Sequence, residues 1–156
     1  MAGLLPRRPD AEHAAAALLF ALRAHAAAAA VGLRVRAGVH SGPVTAGLIG
    51  EVRARFCLFG SSVNTASRLE SAGTPGAVQC SAATWAMAGL PTELVPHAPR
   101  QLQLKGIAEP MDVCLLPAGS AEAARAVTLL EDVVLEARRA PAEAARVDAA
   151  AVTGAE

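Results

Sequence analysis

Tyrosine is absent from this chain, asparagine and lysine occur once each, and isoleucine occurs only at 49 and 107. Cysteine is scarce too: positions 57, 80 and 114 form no CxxC spacing and leave an odd count, which excludes a disulfide framework or a cysteine zinc cluster and makes a reducing, cytoplasmic compartment the default. No surplus of either charge exists, since 14 Lys+Arg balance 14 Asp+Glu. The basic excess that binds phosphate backbones is therefore missing, and nucleic acid is not an expected partner. Long apolar runs are missing as well. Residues 14–22 are apolar, but Arg23 and His25 interrupt them short of the roughly 18 residues of a membrane span, so no membrane segment is expected. Arg7 and Arg8 ahead of that run imitate a signal peptide, yet Asp10 and Glu12 lie between, and a helix is the better reading.

What is abundant is alanine, 39 of 156 residues, so the 53% hydrophobic content consists largely of small side chains. The length suits a single domain able to bury a core. Basic residues are 13 Arg and one Lys, the mark of a GC-rich coding sequence in which Arg replaces Lys freely. Against that background the lone Lys105 and the lone Asn64 single themselves out.

The first helix starts at Asp10, a good N-cap, with Glu12 in its first turn, and stops at Gly32. Alternation over 33–39 predicts a strand, His40 to Pro43 a turn, 44–50 a small-residue segment, and 55–59 a second strand. Gly60-Ser61-Ser62 leads into a helix with Ser61 or Ser62 as N-cap and Val63, Ala66 and Leu69 at apolar spacing. A strand over 77–80, a helix capped by Ser81, and a hairpin of 101–105 with 111–116 follow. This order predicts an α+β fold, a mixed sheet with helices on one side. Residues 119–156 form an Ala-rich tail, helical through Val127, Leu129, Leu130, Val133, Val134 and Leu135 up to Pro141 and partly disordered beyond.

Two segments carry chemistry: GVHSGPVTAGLIG (38–50) and RFCLFGSSVNTASRLES (55–71). Asn64 and Arg68, four apart, share one helix face near an N-terminus that favours anions. An amide beside a guanidinium suits charge building on a phosphoryl group. A competing reading pairs Arg68 with Glu70 as an ordinary surface contact. Cys57, Cys80 and Cys114 could each be small buried hydrophobes. His40 and Ser41 suggest a nucleophilic pair, but neighbours on a strand end point apart. His13, His25 and His97 show no ligand spacing.

Over about forty residues these segments resemble the class III nucleotidyl cyclase catalytic domain, guanylate cyclase branch; the resemblance continues through LKG (104–106) and the last hairpin. It implies a partial ferredoxin-like cyclase fold over residues 1–118 with N-terminal strands missing. It also implies conversion of GTP to cyclic GMP and pyrophosphate in intracellular signalling. By the same resemblance Asn64 positions the ribose and Arg68 holds the α-phosphate, while Lys105 reaches a terminal phosphate and Cys57 reads the base. A thiol donor suits guanine O6, whereas related adenylate cyclases carry Asp or Thr at the position of Cys57.

The resemblance further implies Mg²⁺ or Mn²⁺ held by two Asp residues, in F-x-D and G-D settings. Asp10, Asp112, Asp132 and Asp148 lie in neither, so this chain is expected to hold no metal site. A second cyclase domain, in a homo- or heterodimer, is then expected to supply those carboxylates, and the chain alone to be inactive. The parent protein could be membrane-anchored. Alternatives are a non-catalytic nucleotide-binding or dimerisation module, and an adenylate cyclase.

Overall fold

The structure, a computed structural model, describes residues 10–50, 53, 55–96 and 99–139. The expectations for Arg7 and Arg8, His97, Asp148, Pro141 and the tail beyond 139 lie outside the described residues, as does the capping role of the Asp10 side chain.

Helix α1, Asp10–Ala30, buries Ala14, Ala15, Leu18, Leu19, Ala21 and Leu22, and its end is closed by the Gly32 amide on the Ala29 carbonyl at 3.0 Å. Contrary to expectation, residues 12–30 of α1 are long and apolar enough for a membrane span by length and mean hydropathy, 1.3, because alanine outweighs Arg23. In the structure 39% of that stretch is buried in the core, while Phe20 is exposed. Strands β1 (Ala37–Val39), β4 (Ala77–Ser81), β6 (Met111–Pro117) and β5 (Arg100–Leu102) form one mixed sheet in that order. β1 and β4 are parallel; β4–β6 and β5–β6 are antiparallel. A separate antiparallel hairpin joins β2 (Thr45–Ile49) to β3 (Arg55–Phe59).

Parallel neighbours need a crossover, and here it runs through the β2–β3 hairpin and helix α2, Ser61–Ser71. Alternation along β4 explains the layers. Val78 and Cys80 face a core shared with α1, Trp85 and Ala88 of the α3 region (α3, Ala82–Met87), and Ala123, Ala126 and Leu130 of α4 (Ala121–Arg139). Gln79 points the other way and donates to the Leu69 carbonyl of α2 at 3.0 Å. The expected α+β mixed sheet is present, but its helices are not all on one side: α1, α3 and α4 cover one face and α2 the other.

Four local readings need correction. The strand expected from residue 33 is confined to Ala37–Val39, because the turn before β4 occupies the flank of residues 34–35: Arg34 donates to the Pro75 carbonyl at 2.9 Å and Gly76 N–H to the Val35 carbonyl at 2.7 Å. The N-cap of α2 is Gly60, at φ 130°, with no side-chain cap; neither Ser61 nor Ser62 holds that place. The buried face of α2 is Ser62, Thr65 and Leu69, with Val63 and Ala66 only half-buried. Small polar groups fit there because α2 lies close on β1: a Cβ on Gly38 would collide with the Ala66 carbonyl and the Glu70 amide. On α4 the buried line is Ala123, Ala126 and Leu130, while Leu129 and Leu135 are exposed.

Candidate functional site

Ser81 caps α3 as expected, accepting the Thr84 amide at 3.3 Å. Its hydroxyl also meets His40 Nδ1 at 2.9 Å and Thr84 Oγ1 at 2.8 Å, and the Ser41 amide donates to Thr84 Oγ1 at 2.8 Å. This network pins the loop after β1 and so aims the β2–β3 hairpin. His40 and Ser41 make no pair with each other; burial lowers the His40 pKa below its usual 6.5.

From that hairpin the chain passes through Gly60 into α2. The Gly60 carbonyl accepts the Val63 amide at 3.2 Å and the Asn64 amide at 3.3 Å. Asn64 and Arg68 are both exposed, and neither side chain has a partner among the described residues. One turn separates them, about 6 Å along the axis. The alternative pairing of Arg68 with Glu70 does not form, since Glu70 receives Arg36 Nε at 2.9 Å. Arg68 therefore keeps its charge available.

Lys105 does not end a strand, as β5 stops at Leu102. It stands in the following turn, closed by Gln103 Nε2 donating to the Ile107 carbonyl at 2.6 Å. Leu104 packs with Leu69 and Val113 in a second cluster. This contact brings the turn carrying Lys105, exposed and unpartnered among the described residues, against the helix carrying Arg68.

Cys57 is half-buried on β3, opposite Gly47. The sequence reading overlooked Gly47, although alternation over 45–49 would have placed it on the face of Cys57. No hydrogen bond joins Cys57 to Asn64, Arg68 or Lys105; β3 simply runs into α2. A concavity of about 420 Å³ lined by His25, Arg34, Val35, Thr74 and Leu115 touches none of the four. Asn64, Arg68 and Lys105 are exposed instead, and the hairpin before α2 exposes Leu48, Ile49, Phe56 and Phe59.

Asp112 and Asp132 lie on β6 and α4, and among the described residues no three His, Cys, Asp or Glu converge as a metal would require. The described residues therefore do not fit a divalent-metal site.

The mixed sheet with its crossover through α2 makes this an α+β domain. The adenylate and guanylate cyclase catalytic domain family matches residues 3–115, and the chain belongs to it. Guanylate cyclase D of Mus musculus is 47% identical over 88 residues, 51% of this chain and 8% of that protein. Retinal guanylyl cyclase 2 of Homo sapiens is 54% identical over 54 residues, 35% and 5% of the two lengths. Among solved structures, the guanylate cyclase domain of RhGC from Catenaria anguillulae in complex with GTP superposes with a TM-score of 0.59 at 33% identity, covering 69% of this chain and 60% of that one. The adenylyl cyclase CyaB from P. aeruginosa follows the same fold at TM-score 0.54 and 26% identity, covering 70% and 61%. The chain thus spans under a tenth of these curated relatives and about three-fifths of the solved domains.

Proposed function

We propose that this chain supplies the nucleotide-binding face of a guanylate cyclase, which closes GTP into cyclic GMP and releases pyrophosphate. One observation carries the reading: Asn64 and Arg68 stand unpaired among the described residues on one exposed face of α2, the helix that Cys57's strand runs into. In the reaction the ribose 3′-oxygen attacks the α-phosphorus, its proton leaves, and the bond to pyrophosphate breaks. Arg68 draws the charge that builds on the α-phosphate, and Asn64 holds the ribose in line. The free α2 amides lie at the Asn64 end of the helix, not near Arg68, which stands in its last turn, so the α-phosphate charge falls to Arg68 without them. Lys105 serves as a point charge for the terminal phosphate. The Cys57 thiol donates to guanine O6, which an adenine N6 amine could not accept.

The carboxylates for Mg²⁺ or Mn²⁺ are assigned to a second cyclase domain, in a homo- or heterodimer, and the exposed apolar hairpin supports such a partner. We assign residues 1–118 as the catalytic portion and 119–156 as its tail, whose α4 adds Ala123, Ala126 and Leu130 to the core shared with α1 and β4. The assembly works in the cytoplasm. The test is complementation: the purified chain alone makes no cyclic GMP with either metal, and joining it to a cyclase half that carries both Asp residues yields GTP turnover. Turnover by the chain alone would overturn the division of labour, and failure of every complementing half would favour a non-catalytic module.

A further inference from the structure

Cys80 and Cys114 stand directly opposite each other in the β4–β6 ladder. Opposed residues of antiparallel strands hold their Cα atoms about 4.5 or 5.5 Å apart, and both separations fall within the span a disulfide bridges. Their side chains share the sheet face covered by α1, α3 and α4, and both residues are almost wholly buried, at 1% and 2% exposure. Cys57 has no such neighbour, since Gly47 occupies the place opposite it. The nucleotide face uses neither Cys80 nor Cys114.

We propose that Cys80 and Cys114 are a dithiol–disulfide couple, a modification site whose co-substrate is a small peroxide. The two thiols already interact. The neighbouring Cys80 draws the Cys114 thiol below its ordinary pKa, and Cys114 together with burial pushes that of Cys80 up. Either sulfur can attack as its thiolate while the other resolves. With Cys114 first, its thiolate attacks one oxygen of hydrogen peroxide and breaks the O–O bond, leaving a sulfenic acid and hydroxide, which takes up the thiol's proton to become water. The Cys80 sulfur then attacks the sulfenic sulfur; an S–S bond forms and a second water leaves. Two thiols lose two electrons and two protons, and one peroxide becomes two waters. The bond would tie β4 to β6 immediately before Ser81, the residue that caps α3 and holds His40.

The experiment treats the purified chain with hydrogen peroxide in native buffer, alkylates free thiols without reductant, digests with trypsin and maps peptides by mass. The expected product joins residues 69–100 to residues 106–125 with loss of two hydrogens, is separated by reductant, and leaves residues 56–68 alkylated at Cys57. Native product showing all three cysteine pairings in the proportions found in strong denaturant, or separate sulfinic acids at Cys80 and Cys114, would overturn the proposal. Cys57→Ser should keep the link. Cys80→Ser should strand Cys114 as a sulfenic acid trapped by dimedone, and should it fail to fold, the wild-type peptide map decides alone.

Discussion

Gly47 stands opposite Cys57 in the β2–β3 ladder, and a Cβ placed on Gly47 would have no heavy atom within 4 Å. Opposed residues present their side chains on one face with Cβ atoms about 5 Å apart. Gly47 therefore leaves open the space beside the thiol assigned to the base. Gly47→Val should fill it, lowering kcat/KM for GTP in the complemented enzyme by about tenfold or more. The melting temperature should not fall, because a Cβ there meets no protein atom and Val suits a strand better than Gly. An unaltered kcat/KM would show that the base does not rest on this face.

Asn64→Ala and Arg68→Ala test the helix. Both side chains are exposed and unpartnered among the described residues, so each variant should keep its stability within about 0.5 kcal/mol of wild type. Each should nonetheless lose about a hundredfold in kcat once the site is complemented, the usual worth of one positioned donor. Denaturant titration beside steady-state kinetics separates the two effects; a loss of stability matching the loss of rate would make these residues structural.

Gly38→Ala should do the reverse. The new methyl would press on the backbone of Ala66 and Glu70, neither of which can yield without moving α2 from β1. A cost of about 1–3 kcal/mol is expected in urea unfolding. Arg36→Ala removes an exposed ion pair to Glu70 on the same contact and should cost less than about 1 kcal/mol. Equal costs would mean that the salt bridge, not the close approach, holds the helix.

These contrasts explain what could be read from sequence. The Ser81 cap, the helix after it and the Asn64–Arg68 spacing are local facts, set within four residues of one another, and they were legible. The retreat of β1 to Ala37–Val39 was not, because it depends on a turn some forty residues away that occupies its flank. Burial of Ser62 and Thr65 in place of Val63 likewise follows from the approach that Gly38 permits. Lys105 stood out by rarity, but its place near α2 rests on the Leu69–Leu104 contact between distant segments.

Acid should weaken the fold through His40. Burial holds its folded pKa below 6.5, so below that value the unfolded chain takes up a proton that the native network with Ser81 resists. This stability is complete above pH 6.5 and is lost as pH falls through 6.5 toward the folded value. His25, also lowered by burial, acts with the same sign. His40→Gln should flatten part of the decline in melting temperature below pH 6.5, leaving the part due to His25. A variant with the full wild-type decline would remove His40 from the account.

Substrate choice gives the sharpest test. Cys57 is half-buried beside an open neighbour, so replacing its thiol by a carboxylate alters chemistry more than packing. Guanine offers an acceptor, O6, where adenine offers the N6 donor. A carboxylate at position 57 faces guanine as acceptor against acceptor and can accept from adenine. An unpaired polar group in a closed site costs roughly 1–3 kcal/mol, so Cys57→Asp in the complemented enzyme should shift the GTP/ATP ratio of kcat/KM by about ten- to a hundredfold toward ATP. Competition between the two nucleotides on parent and variant measures the shift. An unchanged ratio returns Cys57 to a packing role and leaves the choice between GTP and ATP to residues outside this strand.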